Sequence, residues 1–366
     1  ATIRLTILEK KGALYKIFIR LSAGRYFPGN FLFGMACGIF YSFQKKEQLC
    51  MYYLGIDLGG TNVAVGVVDE KNQIVARAKA KTPTPCPDDV LCETLASTAE
   101  EAFKNAGITL DDVPWVGIGC PGTVNRDTGI VEFSNNLELH RFPLRELLSK
   151  RMNKEVVIEN DANAAAYGEY KAGALAGAKD GVAITLGTGV GSGIVIDGKI
   201  LSGCNFSAGE MGHHVIVFGG RKCTCGRNGC WEAYASATGL INITKEMMAE
   251  APQDSPIWQI AGGSLDNVNG RTSFDAMRAG DPVGKKIVDT YIEYLGCGIA
   301  NVINTFQPDI LCIGGGICNE GETLLAPLRE YVKSQIFSIY AEKQTKICRA
   351  QLGNDAGIIG AALLGC

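Results

Sequence analysis

The chain repeats itself. Leu54-Gly-Ile-Asp-Leu-Gly-Gly-Thr61 is followed by a second apolar run, Val63–Asp69, and Ala183-Ile-Thr-Leu-Gly-Thr-Gly189 is followed by Gly193–Asp197. Each copy is an apolar strand, a Gly/Thr hairpin turn and a second strand ending in Asp, and the copies start about 130 residues apart. A duplication of this kind predicts two halves with similar cores and with matched glycine turns facing one cleft.

The rest of the pattern agrees with a mixed fold. Tyr52–Asp57, Val63–Asp69 and Gln73–Lys81 read as a three-stranded meander. Val90, Leu91, Thr94, Leu95, Thr98 and Ala102 recur at helical spacing within Asp88–Ala106. Strands are expected at Val113–Gly119, Glu155–Glu159, Gly181–Leu186, Gly193–Ile196 and Asp309–Ile313, with helices at Asp161–Ala172 and Tyr291–Thr305. Strands and helices alternating throughout indicate an α/β protein. Glycine makes up 46 of 366 residues, well above the usual ~7%, and it clusters at the ends of apolar runs. The net charge of −3 implies no basic face, so a nucleic-acid or anionic-membrane partner has no support.

Two segments need separate treatment. Residues 1–25 carry six basic side chains and residues 26–44 carry none that is charged, but the apolar run Phe31–Phe43 is shorter than the ~20 residues a bilayer span needs. Residues 1–50 are therefore read as an extension, either loosely attached, docked as a structural element, or anchoring the chain to a membrane. Met51, just before the first strand, stands where a natural start would fall. The 14 cysteines are mostly single and sit in apolar runs, as reduced core thiols do, and a cytoplasmic setting is expected.

Three groups carry chemistry. The turn Asp57-Leu58-Gly59-Gly60-Thr61-Asn62 frees backbone amides for phosphate oxygens, and Asp57 beside it would repel phosphate unless Mg²⁺ intervened. The other reading is an ordinary Gly-Gly hairpin; the second copy, Gly187-Thr188-Gly189, weakens it. No Walker lysine is present, so a P-loop does not fit. Gly314-Gly315-Gly316 is a third turn, where glycine would let the backbone pack against a base or sugar. Asn160-Asp161 lies at a strand end and helix start. Asp161 is either an N-cap or a carboxylate that accepts a hydroxyl proton in phosphoryl transfer, ionised at pH 7 under the helix dipole. Lastly, His213 with Cys223, Cys225 and Cys230 has the composition of a closed Cys₃His zinc site, with His214 as a rival ligand and three free thiols as the alternative.

Asp57–Asn62, Gly119–Val124, Glu159–Ala164, Leu186–Gly193, Glu210–His213, the Cys-x-Cys-Gly-x-x-Gly-Cys-x-Glu run over 223–232 and Gly314–Ile317 together resemble, in order, the pattern of the ROK family of sugar kinases and related repressors. The resemblance covers about 51–366. It implies a two-lobed actin-like ATPase (ribonuclease H-like) fold with a duplicated core and an interlobe cleft. The smaller lobe would span 51–170 and the larger 171–366, with the last helix packing back on the first lobe. It implies an ATP-dependent hexose kinase of the glucokinase type, acting on the 6-hydroxyl of glucose, with ATP, Mg²⁺ and structural zinc. Asp161 would be the base. Asn136, Asn160, Asp161, Glu210, His213 and Glu232 would hold the sugar, with the three glycine turns at the nucleotide. A homodimer or higher homo-oligomer is expected. Other hexoses (N-acetylmannosamine, mannose, fructose, allose), polyphosphate as donor, and a sugar-responsive repressor stay open. The repressor reading would require an N-terminal helix-turn-helix, a pattern absent from residues 1–50.

Overall fold

The computed structural model describes residues 51–83 and 88–366, and the backbone of 3–6 and 18–21. Residues 1–50 and 51–366 form two separate units. In the first, strands β1 (Ile3–Thr6) and β2 (Phe18–Leu21) pair antiparallel. The readings of this segment as a loose extension, a docked element or an anchor lie otherwise outside the described residues. No helix among the described residues is long and apolar enough to cross a membrane.

In the second unit, β3 (Tyr53–Leu58) shows how the halves are built. Leu54, Ile56 and Leu58 alternate along it and are fully buried, facing a core that includes Leu91 and Leu95 of helix α1 (Asp88–Ala106). β4 (Asn62–Val68) and β5 (Ile74–Lys81) continue it as an antiparallel meander. β6 (Val116–Cys120) and β10 (Val156–Asn160) add on its other side in parallel, giving the order β10-β6-β3-β4-β5. Between β6 and β10 the chain forms a small sheet of β7 (Thr123–Asn125), β8 (Ile130–Ser134) and β9 (Leu139–Phe142), and then helix α2 (Leu144–Met152).

After helix α3 (Asp161–Ala172) the scheme recurs. β11 (Gly181–Leu186), β12 (Val190–Ile196) and β13 (Lys199–Ile200) form the meander, and β14 (Ile310–Gly315) and β15 (Lys346–Arg349) add in parallel. The order β15-β14-β11-β12-β13 is the first sheet's order again. The predicted duplication is therefore one of sheet topology as well as of turn sequence. The inserted helices α4 (Glu232–Ala235), α5 (Ala237–Ala249), α6 (Pro256–Ile260), α7 (Thr272–Arg278) and α8 (Pro282–Phe306) cover one face of this sheet, with Tyr291, Leu295 and Ile299 of α8 in its core. Helix α9 (Glu322–Gln335) and the terminal α10 (Ala356–Ala362) follow.

Glycine joins the halves. Gly55, Gly66 and Gly117 are register partners on three adjacent strands, and a Cβ on Gly55 or Gly117 would lie 2.0 or 1.8 Å from a carbonyl oxygen of α10. This glycine row is the groove that seats the terminal helix on the first sheet. In the second sheet, a Cβ on Gly193 would lie 2.4 Å from Ala166 Cβ, so α3, which leaves the first sheet, packs on the second. The two exchanged helices cross at Gly168 and Gly360, where a Cβ on Gly360 would sit 1.7 Å from Ala164 O.

The structure corrects two readings of the pattern and adds one element that the pattern did not show. The strand expected from Gly193 starts at Val190, since Gly191 and Gly193 pair in the ladder with Thr185 and Ala183. The helix expected from Tyr291 starts at Pro282, capped by the Asp281 carboxylate on Val283 N–H at 2.8 Å. The small sheet gave no sequence signal, because its strands are short and carry little alternation. Gly360→Ala is expected to cost about 2–3 kcal/mol through overpacking at the crossing. Gly270→Ala, where a Cβ meets nothing within 4 Å, should stay within about 0.5 kcal/mol. Urea unfolding of both variants measures this, and equal effects would disprove the tight crossing.

Candidate functional site

The carboxyl ends of the parallel strands and the second and third glycine turns open on one cleft of about 1050 Å³. Every residue expected at the sugar (Asn136, Asn160, Asp161, Glu210, His213 and Glu232) lines it, and so do Asp57, Gly187, Gly189 and Gly314, Gly315 and Gly316. Gly59, Gly60, Thr61, Asn62 and Thr188 do not line its wall. The first turn sits behind it, closed by Gly59 N–H on Asn62 O at 3.0 Å and braced by the Thr82 hydroxyl on Gly59 O at 2.6 Å. Gly60 packs against Asn136: a Cβ there would stand 3.2 Å from Asn136 Cβ. The Thr188 carbonyl accepts from Thr238 Oγ1 at 2.9 Å.

At the strand-to-helix corner the N-cap reading of Asp161 does not hold. Asn160 is the N-cap: its side chain accepts Asn163 N–H at 3.1 Å while its Nδ2 donates to Gly122 O at 3.0 Å. Asp161 is the first helical residue, relieved of capping, and its Oδ1 accepts Ala162 N–H at 2.9 Å. One expectation fails here. The helix N-terminus was expected to lower the Asp161 carboxyl; burial outweighs the backbone amides, and its pKa is raised. Asp57, across the cleft, is pushed up to about 6 by burial and then by the Asp161 charge. Glu210 is raised as well, by burial and by Asp161 and Glu232, with His213 opposing. Four carboxylates thus converge in a cleft whose wall also carries Arg77, Lys79 and Arg349, with Arg77 paired to Asp355, an arrangement suited to hydroxyl groups and to a divalent ion.

The cysteine loop is built against this space. The ligand atoms of His213, Cys223, Cys225 and Cys230 lie within 4.8 Å of one another. Cys225 and Cys230 sulfurs are 3.7 Å apart, and Cys223 Sγ is 3.6 Å from His213 Nδ1. With Zn–S bonds of about 2.3 Å, a tetrahedron has edges of about 3.8 Å, so the donors fit one zinc ion. His213 turns Nδ1 to the cluster, leaving Nε2 for the cleft. His214 is not a ligand. Its ring stacks on Trp231 at 5.4 Å, and burial lowers its pKa. Trp231 is fully buried, donates Nε1–H to Tyr294 O at 3.0 Å and lies against Gly298 of α8, which anchors the loop in the core. Glu232 joins loop and turn: Oε2 accepts Val190 N–H at 3.0 Å, and Oε1 lies 3.3 Å from the Thr224 hydroxyl.

Two sheets of one topology, exchanged helices and paired glycine turns at a common cleft define the actin-like ATPase fold. Within that class the chain belongs to the ROK family, whose pattern matches residues 53–365. It is 38% identical over 313 residues to a glucokinase of Streptomyces coelicolor, covering 84% of this chain and 96% of that one. The crystal structure of a ROK family glucokinase from Streptomyces griseus in complex with glucose and AMPPNP matches with a TM-score of 0.70 at 36% identity, over 85% of this chain and 98% of that one. A xylose repressor of Caldicellulosiruptor bescii is 30% identical over 285 residues, 78% of this chain and 70% of the repressor.

Linkage gives the sign of one test. The folded protein holds a proton on Asp57 up to about pH 6, and the unfolded chain releases it near the ordinary 3.8. Stability therefore falls as pH rises between these values, and the full penalty is present above them. Metal-free Asp57→Asn should be more stable than the parent at pH 7.5 by roughly 1–3 kcal/mol, with the gap closing near pH 4. A variant less stable than the parent at pH 7.5 would contradict the crowding of charge.

Proposed function

We propose that the chain is an ATP-dependent hexose kinase that phosphorylates the 6-hydroxyl of glucose. The observation that carries this reading is Asp161, a buried carboxylate that does not cap its helix and that lines a cleft shared with the second and third glycine turns. Identity to kinases above that to a repressor favours catalysis over regulation alone.

In the reaction, Asp161 accepts the 6-hydroxyl proton as the oxygen attacks the γ-phosphorus, and ADP leaves with the electron pair of the broken bond. The raised pKa of Asp161 makes it a stronger base than an ordinary carboxylate. Asn136, Asn160, Glu210, Glu232 and His213 Nε2 hold the other sugar hydroxyls. Gly187, Gly189 and Gly314–Gly316 bring backbone close to the nucleotide, and Asp57 would hold Mg²⁺, which would neutralise phosphate charge. His213, Cys223, Cys225 and Cys230 would hold a structural zinc, and ligation through Nδ1 would fix the His213 tautomer and ring plane. Lobes 51–170 and 171–366, with the terminal helix returned to the first, close on the sugar and exclude water. A cytoplasmic homo-oligomer completes the proposal.

Asp161→Asn should lower kcat by about 10²–10⁴ while glucose still binds, measured by coupled assay and by calorimetry. In the parent, the acid limb of kcat should lie above the ordinary carboxylate range near 4. ATP hydrolysis without sugar should be slow beside sugar phosphorylation. Near-normal kcat in Asp161→Asn would remove the base assignment, and a hexose panel with ATP and with polyphosphate tests substrate and donor.

Purified protein should hold one zinc per chain by metal analysis. Cys223→Ser and Cys230→Ser should lose it and raise the glucose KM by about 10–100-fold. Zinc retained in both variants would point to other ligands.

A further inference from the structure

Glu159 is a carboxylate at a strand position only 1% exposed. Acidic side chains are rarely buried this far, and burying one costs several kcal/mol unless it is paired. Its oxygens reach three parts of the molecule. Oε1 accepts Asn160 N–H at 2.9 Å and Asn163 Nδ2–H at 3.1 Å. Oε2 lies 3.3 Å from the Arg126 guanidinium, in the β7–β8 turn, and 3.5 Å from the Ser202 hydroxyl, just beyond β13.

Asn160 and Asn163 bracket Asp161, and Asn160 caps the helix on Asn163 N–H. One oxygen of Glu159 therefore holds the capping residue's own amide and the side chain of the residue it caps. The corner cannot turn about Asp161 without stripping two donors from a buried charge. The other oxygen, through Arg126, ties this corner to the small sheet, and the turn between that sheet's last two strands carries Asn136.

We propose that Glu159 is a positioning residue for phosphoryl transfer, fixing through Asn160 and Asn163 the corner that aims Asp161, and docking through Arg126 the small sheet that presents Asn136. The proposal rests on the reading of Asp161 as the base. A misplacement of about 1 Å at a reacting group costs on the order of 10² in rate. Nucleotide binding, on the far turns, should not feel it.

The test uses the full chain with Glu159→Gln, Arg126→Ala, Arg126→Lys and the double variant E159Q/R126A. Gln keeps the shape and loses the charge. Glu159→Gln is expected to lower kcat by about 10–100-fold with the ATP KM within about twofold of the parent. Arg126→Ala should lower kcat in the same direction, by about fivefold or more, and Arg126→Lys should recover part of the loss. The double variant should fall no further than Glu159→Gln alone, since both act through one contact. A folded Glu159→Gln with kcat within twofold of the parent overturns the proposal, as does additivity in the double variant or an ATP KM that rises as kcat falls. If Glu159→Gln does not fold, the Arg126 pair decides: Arg126→Ala with normal kcat, or no recovery in Arg126→Lys, overturns it. Asp161→Asn run beside them separates the two claims. Near-normal activity there defeats the base assignment, whereas loss there with none at Glu159 defeats only the positioning role.

Discussion

The crossing of α3 over α10 is the contact on which the rest depends. Each helix leaves one half and lies in a glycine groove of the other half's sheet, and the two meet backbone to backbone at Gly168 and Gly360. Close-packed backbone has little freedom to slide, because any shift of either helix forces carbonyl oxygens into Cα atoms. The N-terminus of α3 is thereby placed at a defined depth between the sheets, and that terminus carries Asn160 and Asp161. The duplication of the sheets matters to the site through this exchange: a helix belonging to one half, seated on the other, puts its first residue in the cleft that the second glycine turn also lines.

The site assembled there is unstable by construction. Asp57, Asp161 and Glu210 are each raised above the ordinary carboxylate range, chiefly by burial and in part by one another. Burial is the first cause for all three, and the Asp161 charge adds to it at Asp57 and Glu210 but no neighbouring carboxylate does so at Asp161. The tight, apolar packing of the glycine grooves and of the helical layer around Tyr291 and Trp231 offsets the penalty, so the strain is confined to the one region where ligands relieve it.

Much of this was legible in the sequence, for definable reasons. The helices over Asp88–Ala106 and Asp161–Ala172 match residue for residue, the first because its apolar positions recur at helical spacing and the second because alanine follows a polar start. The duplicated turns pointed to a common cleft, since Gly-Gly-Thr and Gly-Thr-Gly each end an apolar run. What was not legible was the purpose of individual glycines. Gly191 looks like a turn residue and Gly193 like a strand start, but both are ladder residues on which helix α3 packs, near Ala162 and Ala166. Gly55, Gly66 and Gly117 are far apart in the chain and become one groove only through strand register. Glu159 was invisible for the same kind of reason: its partners Arg126 and Ser202 come from other elements, and local pattern holds no trace of them. His214 differed from His213 only by orientation, which the stacking partner Trp231 decides.

Glu232 carries this reasoning one step further. Its carboxylate receives the amide of Val190, at the end of the second glycine turn, while its other oxygen lies against the loop that bears Cys223. Glycine at 189 leaves room for this carboxylate, since a Cβ there would stand 2.3 Å from Glu232 Oε2 and displace it. The second glycine turn and the cysteine loop are therefore not independent structures. A displacement of the loop is passed to the strand that begins at Val190 through one shared carboxylate, and the glycine beside it is the space that makes the sharing possible.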